Sequence, residues 1–115
     1  MGAYVKNREL REELIKSKES DVLTKTAIDM FILMAERFGA KLTYVYEDDK
    51  KDCMQFAVMD CWQYWRGYNP EYPNAFAYIT QIIKNGYAKG WRKLYPFGFE
   101  HSNKISTSNN NLYNL

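Results

Sequence analysis

Apolar residues recur along this chain at helical spacing, and the pattern divides it into four helical stretches. Residues 7–18 carry a narrow stripe, Leu10, Leu14 and Ile15, among charges, with Asn7 placed to cap the start. Residues 21–38 repeat Leu23, Ala27, Met30, Phe31, Met34 and Phe38 at the same spacing, with Ser20 as the N-cap and Gly39 as the stop. The stretch 40–47, AKLTYVYE, has strand-like content but no pairing partner in view, and an extended connection is predicted there. Helical spacing resumes near Asp48 and runs to Arg66, opened by the acidic cluster Glu47-Asp48-Asp49, which suits the positive end of a helix dipole. Gly67, Asn69, Pro70 and Pro73 form a turn, Asn74 caps a helix over 75–95, and Pro96 stops it. The polar, Asn- and Ser-rich residues 100–115 are expected to be disordered. The prediction is an all-α protein, a compact helical domain over residues 1–99 with a flexible tail over 100–115.

Two of these helices carry more than a core face. In 48–66 the core stripe is Met54, Ala57, Val58, Cys61 and Trp65, extended by Tyr68. The opposite face holds Asp52, Gln55, Phe56, Met59, Gln63 and Arg66, with Trp62 at its border. Large apolar groups rimmed by amides and charges describe a protein-docking surface, the competing reading being cover by another element of the same domain. In 75–95 the inward positions are Phe76, Ile79, Ile83, Gly86, Gly90 and Leu94, the glycines admitting a neighbouring helix. Each costs about 1 kcal/mol of helix propensity relative to alanine, so they serve something other than helix stability. Opposite lie Tyr78, Gln81, Lys84, Asn85, Lys89 and Arg92, with Trp91 alongside. Cations neutralise phosphates, amides read base edges and aromatic rings stack on unpaired bases, which points to nucleic acid rather than a plain solvated face.

Charge sharpens this picture. The net charge is only +2, but no acid occurs between Tyr72 and Phe99, where Lys84, Lys89, Arg92 and Lys93 lie. One end of the domain is basic, as in a nucleic-acid footprint; cations at a helix C-terminus are the simpler alternative. Hydrophobic residues make up 46% of the 115, yet no apolar run suits a membrane span, and MGAYVKNREL is no signal peptide, so a soluble cytoplasmic protein is expected. Cys53 and Cys61, eight residues apart on one helix, would be separated by about 12 Å, too far for a disulfide, and are expected as buried reduced thiols. The single histidine, His101, lies in the polar tail, so neither a metal site nor a catalytic dyad can be built around it. No enzyme activity and no cofactor are expected.

The run from Asp52 to Asn85 resembles the most characteristic region of bacterial sigma factors. That family carries an aspartate followed three residues later by glutamine, then a basic residue, an aromatic, Asp or Asn and often Pro, before an aromatic opens the promoter-melting helix. The corresponding residues here are Asp52, Met54, Gln55 and Ala57, then Arg66-Gly67-Tyr68-Asn69-Pro70-Glu71, then Phe76-Ala77-Tyr78-Ile79. The chain is most similar to the late-promoter sigma factors of T-even-type phages, in the order and spacing of Asn7–Ile15, Ala35–Phe38 and Ala77–Gln81 over roughly residues 4–96. The fold implied is the second conserved, promoter-melting region. The resemblance implies that Asp52, Gln55, Phe56, Met59, Trp62, Gln63 and Arg66 dock on the clamp helices of the large subunit of RNA polymerase core. It also implies that Tyr78, Thr80, Gln81, Lys84, Asn85, Tyr87, Lys89, Trp91, Arg92 and Lys93 engage an AT-rich, minus-ten-like promoter element.

This chain departs from the family in two places: Phe56 replaces the usual glutamate, and Ile82-Ile83 lie near where primary sigma factors place a melting tryptophan pair. Strand opening would then fall to Tyr78, Tyr87 or Trp91. Leu112, Tyr113 and Leu115 close a polar run, and in the phage proteins such an apolar ending binds the DNA sliding clamp. Two other classes compete: a helical repressor that binds duplex DNA alone, and a polymerase-binding adaptor or inhibitor without promoter-melting activity.

Overall fold

The computed structural model describes residues 5–96, and these form four α-helices and one short 3-10 turn. Helix α1 spans Asn7–Ser20, α2 Lys25–Gly39, α3 Glu47–Tyr64 and α4 Ala75–Leu94, with the 3-10 turn Trp65–Gly67 directly after α3. No strand occurs among the described residues. The all-α expectation holds, and 40–46 is a turn-containing connection.

Boundaries differ from the sequence expectation where a side chain finds a better partner. Ser20 ends α1 instead of capping α2. Asp21 follows in the left-handed region, at φ 57°, and its amide and that of Val22 close α1 by bonding to Lys18 and Ser17 carbonyls. Thr24 then caps α2, its hydroxyl accepting from the Ala27 amide at 3.1 Å and donating to Glu13 of α1 at 2.6 Å. Asn7 does not cap its own helix. Its side-chain amide donates to the Pro73 carbonyl at 3.0 Å and its oxygen accepts from the Phe76 amide at 2.9 Å, fastening α1 to the start of α4. Asn74 caps α4 as expected, accepting from Ala77 at 2.9 Å.

Helices α3 and α4 form an antiparallel pair that meets through small residues. A Cβ on Gly86 would collide with the backbone of Ala57, and one on Gly90 would lie 2.9 Å from Cys53 Cα. Cys53, Ala57 and Cys61, four residues apart on α3, are fully buried along this seam. Burial pushes the Cys53 thiol up to about 11 and the Cys61 thiol up to about 12.

A second row on α4 runs through Ala75, Ile79, Ile83, Tyr87, Trp91 and Tyr95, every one of them buried. A four-residue step overshoots a helical turn by about 40°, so this row winds around α4 and meets different partners along its length. Near its middle Tyr87 donates to the Ala35 carbonyl of α2 at 2.8 Å and packs against Phe38. Towards its end Trp91 lies between Tyr44 and Tyr95, with ring centroids 5.8 and 4.2 Å away, and Tyr95 donates to the Asp49 carboxylate. Helix α4 is thus the post around which the domain is built.

Gly86→Ala should test this seam. Alanine raises intrinsic helix propensity by about 1 kcal/mol, but overpacking against Ala57 costs about 1–3 kcal/mol, and a net loss of stability in urea titration is expected. The buried thiols add a pH signature. Their stabilising contribution is complete below the ordinary thiol value of 9.0 and is lost as pH rises towards about 11 and 12. Stability measured by denaturant titration should therefore fall above pH 9, and less steeply in a Cys61→Ala variant.

Candidate functional site

The outer face of α3 presents one uninterrupted surface. Asp52, Gln55, Met59, Trp62, Gln63 and Arg66 are exposed, and Phe56 is half-buried at its edge over Gly90. Met59 is 64% exposed and Trp62 63%, far above what large apolar side chains keep when their own domain covers them. Together with Val58, Ile28 and Phe31 they line a small cavity of about 130 Å³ between α2 and α3. Asp21, Val22, Leu23, Ile28, Trp62, Trp65 and Arg66 continue the concavity past α2.

Arg66 is already engaged. Its guanidinium bonds to the Asp21 carboxylate at 3.1 Å and to the Asp21 carbonyl at 3.0 Å, and stands 5.0 Å from the centroid of the Trp65 ring. Lys18 donates to the Arg66 carbonyl at 2.7 Å. The ion pair is solvent-exposed and adds at most about 1 kcal/mol. Its effect is positional, joining the end of α3 to the αL cap of α1.

The α4 residues assigned to nucleic acid divide into three groups. Gln81, Asn85, Arg92 and Lys93 are exposed, Gln81 donating to Asn85 at 3.1 Å, while Tyr78, Thr80 and Lys84 are partly covered. Tyr78 packs on Tyr68 and donates to the Tyr64 carbonyl at 3.1 Å, and burial raises the pKa of its hydroxyl.

Tyr87 and Trp91 require correction. They are 0% and 1% exposed and belong to the core row on α4, so neither ring can stack on a base in this fold. The signal is present in the sequence, since both extend the four-residue ladder of Ile79 and Ile83; only their aromatic character suggests a surface role. Phe76, expected inward, is 40% exposed at the first turn of α4, beyond the reach of the α3 seam.

Lys89 lies between the two faces: its side chain is 44% exposed, and its ammonium pairs at 2.9 Å with Asp60, whose side chain is 9% exposed. Asp60 carries no comparable signal in the sequence: it lies beside the core stripe of α3, and its burial follows only once α4 brings Lys89 across.

The two faces adjoin. Asp52, Gln55, Phe56 and Met59 of α3 share a groove with Lys93 and Leu94 of α4. Among the described residues no cluster of His, Cys, Asp and Glu has the arrangement of a metal site, and no helix is long and apolar enough to cross a membrane. Leu112, Tyr113 and Leu115 lie outside the described residues. Comparisons with family models, with curated proteins and with solved structures return no match for this chain.

The Asp60–Lys89 pair separates structural from surface cations. Lys89→Ala leaves a nearly buried carboxylate without its partner and should cost about 1–3 kcal/mol. Arg92→Ala, at an exposed position, should stay within about 0.5 kcal/mol of the parent. Thermal or urea unfolding of the two variants measures the difference.

Proposed function

We propose that this protein is a sigma-type subunit that docks on RNA polymerase core through the outer face of α3 and engages promoter DNA through the exposed face of α4. The observation that carries the reading is the exposure of Met59 and Trp62 within a rim of Asp52, Gln55 and Gln63, on the helix where the sigma-factor resemblance is strongest. An apolar centre with a polar rim is the anatomy of a protein interface. Polymerase performs the chemistry, and this chain selects the start site. Gln81, Lys84, Asn85, Arg92 and Lys93 are the side chains that contact DNA in this reading, with Tyr78, half-buried against Tyr68, the remaining aromatic candidate for an unstacked base. Recruitment by a sliding clamp through Leu112, Tyr113 and Leu115 belongs to the same proposal.

A second reading, a polymerase-binding adaptor without melting activity, is favoured by one specific observation. Burial of Tyr87 and Trp91 removes two of the three aromatic candidates for strand opening.

Run-off transcription from an AT-rich promoter with purified polymerase core tests the proposal directly. Met59→Ala with Trp62→Ala should weaken core binding by about 1–3 kcal/mol, as interface hot spots do, while leaving helix content and stability close to the parent. Unchanged core affinity would refute the docking face. Replacing Arg92 and Lys93 should flatten the log–log salt dependence of promoter-complex formation by about 1–2 units. Permanganate reactivity of promoter thymines that is lost in Tyr78→Ala supports melting. Core binding with no reactivity in the parent chain selects the adaptor.

A further inference from the structure

We propose that two copies of this protein pair through the outer face of α3, antiparallel about a twofold axis at Met59. The residues of that face read alike from Met59 in both directions. Three positions away stand the aromatics Phe56 and Trp62, and four positions away the amides Gln55 and Gln63. Seven positions away the face ends in charges of opposite sign, Asp52 on one side and Arg66 on the other. Met59 and Trp62 are 64% and 63% exposed, Asp52, Gln55, Gln63 and Arg66 are exposed, and Phe56 is half-buried. A seven-residue step falls only about 20° short of two helical turns, so Asp52, Met59 and Arg66 share one line, Arg66 lying in the 3-10 turn that continues α3. The helical period sets Gln55 and Trp62 on the flank towards α2, and Phe56 and Gln63 on the flank towards α4.

Such a face is its own complement. In a twofold contact the same patch is used by both copies, and every residue pair occurs twice with the copies exchanged. Turned end for end about Met59, α3 sets Asp52 opposite Arg66 of the second copy and Met59 against Met59. On the flanks Trp62 meets Gln55 and Phe56 meets Gln63, each ring lying on an amide side chain. Parallel pairing would instead put Asp52 on Asp52 and Arg66 on Arg66. A foreign partner asks nothing of the order of residues about Met59, whereas a second copy requires opposite charges at equal distances from the axis. Both charges are available. Asp52 makes no ion pair with a described residue, and Arg66 holds Asp21 through Nε and one terminal nitrogen, leaving other donors of its guanidinium for a second carboxylate. The face from Asp52 to Arg66 is about 21 Å long, at the small end of specific interfaces, so the dimer is weak and governed by concentration. The pairing stands on the face itself. Its consequence, that only the monomer offers Met59 and Trp62 to polymerase core, rests on the function proposed above.

Sedimentation velocity of the full chain between about 1 µM and about 1 mM should show monomer passing into dimer as concentration rises. Asp52→Arg alone, or Arg66→Asp alone, sets like charges against each other at both ends of the contact. Each variant should dissociate about tenfold more readily than the parent, with the far-UV spectrum unchanged. An equimolar mixture of the two variants should form a dimer of near-parent affinity, because every charge in the mixed pair again faces its opposite. Arg66 also pairs with Asp21 in its own copy, and Lys93 lines the groove beside Asp52, so restoration in the mixture is what identifies the register. Monomer throughout the concentration range overturns the proposal and leaves the face to a foreign partner. A dimer that neither variant weakens, or that the mixture does not restore, overturns it as well. Added polymerase core should convert the dimer into complexes holding one copy per core. Failure of the chain to bind core refutes the polymerase reading and leaves the sedimentation result to stand.

Discussion

The close backbone approach of α3 and α4 at Gly86 and Gly90 is the constraint on which the rest of the domain depends. Only glycine lets Ala57 and Cys53 of α3 come this near, and only small residues on α3 leave room on the other side. Separating the helices by one methyl would pull Lys89 from Asp60 and Phe56 from Gly90, and would open the seam that keeps both thiols out of water. The helix-propensity cost of two glycines is offset by what their absence of side chains admits.

From that seam the remaining contacts follow in sequence. Because α4 is pressed against α3 on one side, its winding row of Ile79, Ile83, Tyr87 and Trp91 has to be covered by elements other than α3 along the way. Helix α2 supplies Ala35 and Phe38, and the 40–46 connection supplies Tyr44. Tyr95 then returns to the N-terminus of α3 at Asp49. Helix α1 closes the other end through Asn7 and Arg11, which bond to the carbonyls of Pro73 and Pro70. The turn of prolines and glycine between α3 and α4 is thereby held by a helix far away in sequence.

Much of this architecture is legible in the amino-acid sequence. The four helices, the reduced buried cysteines and the role of Gly86 and Gly90 all follow from apolar spacing and residue size, which act locally. The outward placement of Asp52, Gln55, Met59, Trp62 and Gln63 is legible for the same reason. What spacing cannot supply is partnership. Thr24 outcompetes Ser20 as a cap because Ser20 is consumed by the end of α1. Asn7 and Asp60 act on residues 66 and 29 positions away, and no local pattern encodes such distances. Tyr87 and Trp91 show the opposite case, in which spacing marks both as core and chemical type alone points to the surface.

The same packing bears on how the two proposed faces work together. Asp60 and Lys89 cross from α3 to α4, Phe56 lies over Gly90, and Lys93 lines a groove with Asp52 and Gln55. Gly86 meets Ala57 and Gly90 meets Cys53 at close range, and a seam packed this tightly resists sliding. A partner seated on the outer face of α3 therefore receives the exposed face of α4 at a fixed angle. In the sigma-type reading, that rigidity converts polymerase binding into placement of Gln81, Asn85, Arg92 and Lys93 against DNA, with the orientation set by the fold before either partner arrives.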